Sequence, residues 1–344
     1  MASSSSSSVV PAKAPSMSWT ARIAMAILTA ATDLACRRNG TVNRRLLSVL
    51  DDSVPANPTP SRGVRTVDFT VDASRGLWFR LFIPSTPPAD SSPLPMVVFF
   101  HGGGFAFLSA ASRAYDAVCR RFARKLPAVV ASVNYRLAPE HKCPAPYADG
   151  LDVLRFLDEN GGGSPDIALA DLSSTFLVGD SAGGNIVHHV ARRWAGAGGW
   201  KSLKLAGLVV IQPYFGGEER TESELRLTKA PLVSVPRTDW LWRAFLPEGA
   251  DRDHEACNVF GPNDTKELEE GYPPAMVVVG GWDPLKDWQR RYAEGLRRRG
   301  KEVRLVEYGE APHAFYVFPD SKEGGIFLEE MKDFIHSHAH GSNH

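Results

Sequence analysis

With 344 residues, 43% hydrophobic and 23% charged, the chain has the length and balance of one large globular domain or two modest ones, which excludes a collagen-like or wholly disordered protein. Lys+Arg and Asp+Glu number 39 each, so no electrostatic reason exists to expect nucleic acid or an anionic membrane surface as partner. The four cysteines, Cys36, Cys119, Cys143 and Cys257, are far apart and form no CxxC, which excludes a disulfide scaffold and reads as reduced thiols in a cytosolic-type compartment.

Ser3–Ser8 is a serine run followed by Pro11 and Pro15, so residues 1–16 are expected to be a disordered tail. Lys13 and Arg22 precede the first acidic residue, Asp33. This acid-poor, Ser-rich start makes organellar import the minor alternative to a cytoplasmic, and also nuclear, location. From Trp19 to Cys36, residues Ile23, Ile27, Ala30, Ala31 and Leu34 recur at helical spacing and predict an amphipathic helix burying that face. The same stretch holds Arg22 and Asp33 and is built largely on alanine and threonine, so no membrane span is expected.

Val64–Asp72 and Leu77–Pro84 alternate about an Ala-Ser-Arg-Gly turn and predict an antiparallel hairpin. Short β-branched runs follow at Met96–Phe100, Ala128–Asn134, Thr175–Gly179, Leu205–Gln212, Ala275–Gly280 and Val303–Tyr308. Helical stretches at Tyr115–Lys125, Tyr147–Glu159, Asn185–Trp194, Trp288–Arg299 and Ile326–His336 separate or follow them. Buried strands alternating with helices mean an α/β architecture, a mostly parallel sheet covered on both faces. Phe215–Gly271, with Trp240, Trp242 and Phe245, interrupts the alternation and reads as a cap-like insertion over a site. The expected organisation is therefore a tail (1–16), an N-terminal helical segment (17–62) ending in the Pro-rich Pro55–Pro60, a catalytic domain (63–338) carrying the insertion 215–271, and a tail (339–344). His336, His338, His340 and His344 read as that solvated tail; no metal and no cofactor are expected.

Gly179-Asp180-Ser181-Ala182-Gly183 is a G-x-S-x-G pentapeptide between a strand and a helix, the context in which a serine projects its Oγ from a sharp turn. His101-Gly102-Gly103-Gly104-Phe105 follows an earlier strand, and its glycines permit backbone geometries that aim successive N–H groups into one cavity. Acyl transfer needs such donors where the carbonyl oxygen becomes an oxyanion, and Gly103, Gly104 and Ala182 are the expected set. A nucleophilic serine also needs a base and an orienter. Asp283 and His313 each lie just past a strand, and the order Ser181, Asp283, His313 is that of α/β-hydrolases rather than of chymotrypsin or subtilisin.

With Asn134-Tyr135-Arg136-Leu137-Ala138-Pro139-Glu140, these motifs make the chain resemble, from about Trp19 to Ser337, plant carboxylesterases of the hormone-sensitive-lipase group of α/β-hydrolases. It is especially similar to the branch containing the soluble gibberellin receptors. Asn39-Gly40-Thr41-Val42-Asn43-Arg44 and Trp240-Leu241-Trp242-Arg243-Ala244-Phe245-Leu246-Pro247-Glu248-Gly249 carry that likeness. The resemblance implies an α/β-hydrolase fold whose N-terminal helices close as a lid, a surface the receptors present to a partner protein. It departs from the receptors at His313, where they have an aliphatic residue, at Leu137 and Arg237-Thr238, and at Gly104, where they have serine. A dehydratase, which would carry threonine in the oxyanion loop, is disfavoured by the same Gly104.

The expected function is a serine carboxylesterase hydrolysing small hydrophobic or aromatic carboxylic esters through an acyl-serine intermediate. A gibberellin-receptor-like hormone-binding protein, or a hydrolysing sensor, is the alternative. Phe105, Tyr115, Tyr214, Trp240, Phe315 and Tyr316 form the expected substrate-binding set. The expected partner is a small-molecule ester, with no protein docked at the lid. Glu140 is expected to support the active-site loops, and His188 and His189 to be packing or surface residues.

Overall fold

A computed structural model describes residues 17–85 and 93–339; the expected tail 1–16 lies outside them, as does the expected tail 339–344 apart from Ala339, which ends the last helix. In chain order the elements are α1 (Trp19–Ala35), α2 (Arg44–Leu50), β1 (Val64–Asp72), β2 (Leu77–Pro84), β3 (Leu94–Phe100) and α3 (Arg113–Lys125). Then come β4 (Val129–Asn134), α4 (Ala145–Asn160), β5 (Ala170–Asp180), α5 (Ala182–Gly196) and β6 (Leu205–Ile211). The chain closes with α6 (Glu222–Arg226), α7 (Val235–Phe245), β7 (Ala275–Trp282), α8 (Lys286–Arg298), β8 (Val303–Pro312) and α9 (Lys322–Ala339).

The strands make one sheet in the order β1-β2-β4-β3-β5-β6-β7-β8. β2 pairs antiparallel with β1 and β4, and every pairing beyond β4 is parallel. The hairpin turns where the Asp72 carboxylate accepts the Ser74 and Arg75 N–H groups and Gly76 takes a left-handed φ of 62°. Side chains alternate across the sheet as strand geometry requires. Met96, Val98 and Phe100 enter a core with α4, α5 and α8, whereas Val97 and Phe99 enter a second core with α3 and α9. Helices thus cover both faces, and the C-terminal strand ends open toward one edge, where parallel α/β sheets place their ligands. β5 starts five residues before the apolar run at Thr175, because Asp171 and Ser173 interrupt it.

α1 matches the expected helix but rolls onto a different face. Ile23, Ile27 and Leu34 are exposed, and Ala21, Met25, Thr32 and Ala35 are buried instead. The reason is polar. The Arg237 guanidinium from α7 donates to the Thr29 carbonyl, the Thr32 hydroxyl and the Asp33 carboxylate, which turns that face inward. The Trp240 indole N–H adds a bond to the Arg37 carbonyl at 3.1 Å. Arg44 at the start of α2 grips Glu140 together with the Ala106 and Ala138 carbonyls, so Glu140 sits where a loop support belongs. The α9 helix runs through His336 and His338, which corrects their reading as tail; the His338 ring lies 4.3 Å from that of Phe334.

Candidate active site

Ser181 stands between β5 and α5 with φ 52° and ψ −118°, a strained conformation for a non-glycine residue. The turn is tight enough to demand its glycines. A Cβ at Gly179 would meet the Gly183 carbonyl oxygen at 2.4 Å, and one at Gly183 would meet the Phe100 carbonyl oxygen at 1.9 Å. Ser181 is anchored through its backbone: its N–H donates to the Ile211 carbonyl, and its carbonyl accepts from Tyr214 and Asn185.

The His101–Phe105 loop is fastened beside it. Gly102 N–H donates to both the Asp180 carboxylate and the Tyr115 hydroxyl at 2.8 Å, and Tyr115 donates to Asp180 at 3.0 Å. Tyr135 donates its hydroxyl to the His101 carbonyl at 2.7 Å and stacks on the His101 ring. Gly103 and Gly104 have φ of 106° and 59°, and a Cβ on Gly104 would lie 2.5 Å from the Leu241 side chain. The N–H groups of Gly103, Gly104 and Ala182 donate to no other group among the described residues. Unspent backbone donors beside a serine are what an oxyanion requires.

His313 Nδ1 lies 2.6 Å from Asp283 Oδ2, and the aspartate is fully buried. Burial alone would lower the imidazole pKa. The Asp283 charge, its hydrogen bond and the Asp180 charge outweigh that and raise it above the ordinary 6.5. Burial likewise pushes the Asp180 carboxyl up to about 6, against the Tyr115 bond and the His313 charge, which hold it down. Were His313 to serve as a general base, which must be neutral, kcat/KM would rise with pH along a limb centred above 6.5. Asp180→Asn keeps an acceptor for Gly102 but removes one of the charges favouring imidazolium. Its limb should move to lower pH. An unmoved limb in a pH–rate profile would show that Asp180 does not act on His313.

Ser181 and His313 line one cavity of about 230 Å³ with Gly103 and Gly104. Met25 and Leu28 of α1 and Arg237 and Leu241 of α7 also line it. Of the expected substrate-binding residues, Tyr115 and Tyr214 reach it. The others are placed elsewhere by packing. Phe105 stacks on Phe245 at 3.7 Å, Trp240 turns to the α1–α2 connection, and Phe315 and Tyr316 pack against Phe327 of α9. Met25, Leu28 and Leu241 escape sequence reasoning because their place depends on how α1 and α7 roll, which periodicity alone does not settle. His188 and His189 are both buried, the former 2.9 Å from the Tyr272 hydroxyl, so they are packing and not surface residues. Among the described residues, no group of three His, Cys, Asp or Glu could hold a metal ion, and no helix is long and apolar enough to cross a membrane. The four cysteines are all free.

Residues 97–317 match the family described as alpha/beta hydrolase fold. The chain is 41% identical to gibberellin receptor GID1C of Arabidopsis thaliana, covering 89% of this chain and 91% of that protein. It is 34% identical to carboxylesterase 20 of the same plant, over 87% and 93%. Among solved structures, the hyperthermophilic esterase of the archaeon Pyrobaculum calidifontis superposes with a TM-score of 0.72 at 27% identity, covering 93% of this chain and 98% of that one.

Proposed function

The chain belongs to the α/β-hydrolase family and is a carboxylic ester hydrolase, and we propose that it cleaves small hydrophobic or aromatic esters through an acyl-serine intermediate. The observation that carries this reading is the bonded Asp283–His313 pair on the wall of the cavity that Ser181 also lines. In this mechanism His313 Nε2 takes the Ser181 proton while Asp283 holds the Nδ1–H and stabilises the imidazolium. Ser181 Oγ attacks the ester carbonyl, and the Gly103, Gly104 and Ala182 N–H groups receive the oxyanion. His313 then protonates the departing alcohol. Water, activated by the same imidazole, releases the acid and restores the serine. The apolar cavity of about 230 Å³ favours compact hydrophobic substrates over long acyl chains. Four free thiols suit a cytoplasmic location.

Turnover of p-nitrophenyl acetate, lost on labelling with a fluorophosphonate, is the expected result. A second reading, a gibberellin-receptor-like binding protein or hydrolysing sensor, draws on one specific feature: α1 closes the cavity with Met25 and Leu28. Gibberellin binding by the purified protein without turnover of any ester would favour it over the enzyme.

We further propose that α1 selects among substrates as a lid. Removing residues 1–36 takes away one wall but leaves Ser181, His313 and the loop glycines in place. A bulky ester would then keep in water some apolar surface that the wall otherwise covers, at roughly 25 cal/mol per Å². On that scale kcat/KM for a bulky aromatic ester should fall about tenfold more than for acetate. Equal changes for the two esters would remove the lid from the account.

A further inference from the structure

Asp283 and His313 sit past the ends of different strands, β7 and β8, and a third group sets their register. We propose that Gln212 is a positioning residue of the reaction, one buried amide that clamps the acid loop and the base loop to each other and to the end of β6. The inference rests on the esterase reading of Ser181, Asp283 and His313.

Its amide is used on both sides. Nε2 donates to Asp283 Oδ2 at 3.0 Å and to the Pro312 carbonyl at 3.2 Å, and Oε1 accepts the Ala314 N–H at 2.8 Å. The residues flanking His313 are therefore held by the same group that holds its aspartate. The Gln212 N–H donates to the Val278 carbonyl of β7 at 2.9 Å, tying the clamp to the sheet. Its φ of 43° is costly for a side-chain-bearing residue, and such strain persists where surroundings impose it. The neighbouring strand makes room for the amide. A Cβ at Gly280 would lie 2.3 Å from Gln212 Nε2.

Gln289 on α8 supplies the contrast. Its Nε2 donates to the same Asp283 oxygen at 2.8 Å, while its buried Oε1 has no hydrogen-bond partner among the described residues. The reverse orientation would aim a carbonyl oxygen at a carboxylate, so the unpaired oxygen follows from the Asp283 charge. Gln289 touches the acid alone; Gln212 touches acid and base loops together. Both amides disperse the Asp283 charge. Losing either should leave more of it for the imidazolium and move the acidic limb of kcat/KM to higher pH. Asp180, the other carboxylate acting on His313, is left intact by either change.

The test compares Gln212→Met and Gln289→Met with the parent enzyme on p-nitrophenyl acetate, with fluorophosphonate titration to count folded active sites. Gln212→Met should lower kcat per titrated site by about ten- to hundredfold, the scale on which small misplacements act. KM should stay near the parent value and the acidic limb should move up. Gln289→Met should move the limb the same way with a smaller loss of kcat. If Gln212→Met does not fold, Gln212→Asn, too short to span both loops, carries the same expectation. Parental kcat per site with an unmoved limb in the Gln212 variant overturns the proposal, as does an equal kcat loss in the Gln212 and Gln289 variants with no limb movement. Parent activity that survives Ser181→Ala strikes the esterase reading instead.

Discussion

Ser181→Ala is expected to leave the fold standing and to lower kcat for p-nitrophenyl acetate by about five to six orders of magnitude. The fold should survive because Ser181 is bound into the elbow by its backbone, through Ile211, Tyr214 and Asn185. Alanine keeps those bonds and removes only the attacking oxygen. What remains is the set of three unspent N–H groups from Gly103, Gly104 and Ala182 and the cavity walls. These still bind and polarise an ester, so a residual rate above water is expected. An unchanged melting temperature, loss of fluorophosphonate labelling and loss of turnover should coincide. Turnover above about one per cent of the parent would sink the nucleophile assignment, given the scale of triad knockouts.

His313→Val installs an aliphatic residue of the kind found at this point in the receptors the chain resembles. It should lower kcat/KM by about four to six orders of magnitude. Asp283 is not stranded by the change, since Gln212, Gln289 and the Leu285 N–H still donate to it. The variant should therefore fold, and a product acid should bind it about as well as the parent, because valine removes only one polar contributor to the wall. The measurements are a steady-state rate and a calorimetric titration with the acid. A parental rate in this variant would mean that another group serves as base. Retained acid binding with abolished turnover is the combination that separates chemistry from recognition in this cavity.

Much of the fold is legible in the sequence because its signals are local. The β1–β2 hairpin boundaries at Val64–Asp72 and Leu77–Pro84 follow directly from alternation and an Ala-Ser-Arg-Gly turn. The Ser181 pentapeptide and the His101–Phe105 loop are contiguous, so spacing alone points to them. Asp283 and His313 can be read because each follows a strand in a recognisable order. The supporting residues are not visible in that way. Gln212 and Gln289 belong to a residue type that carries no signature of this chemistry, and their roles exist only once β6, β7 and α8 are neighbours. Asp180 stands inside the pentapeptide, yet its bond to Gly102 joins residues 78 positions apart. The cavity walls are harder still. Aromatic residues near the motifs are the natural expectation, but Phe105 and Phe315 are large enough to be drawn into the core instead. For α1 the more apolar stripe is the natural choice of buried face, and a single arginine reverses that choice.

The reversal gives α1 two rows of side chains with different surroundings. Met25 and Leu28 line the cavity and, on the proposed lid role, meet the substrate, while Ile23 and Ile27, one or two positions away, touch neither the cavity nor the Arg237 clasp. In a saturation library screened for ester turnover, tolerance should therefore oscillate along the helix with the period of its own turn. Outward positions would accept charged substitutions freely, and inward ones would redirect substrate preference. A duplicated gene could change its outer row without disturbing hydrolysis, or remodel its inner row without altering what the surface displays.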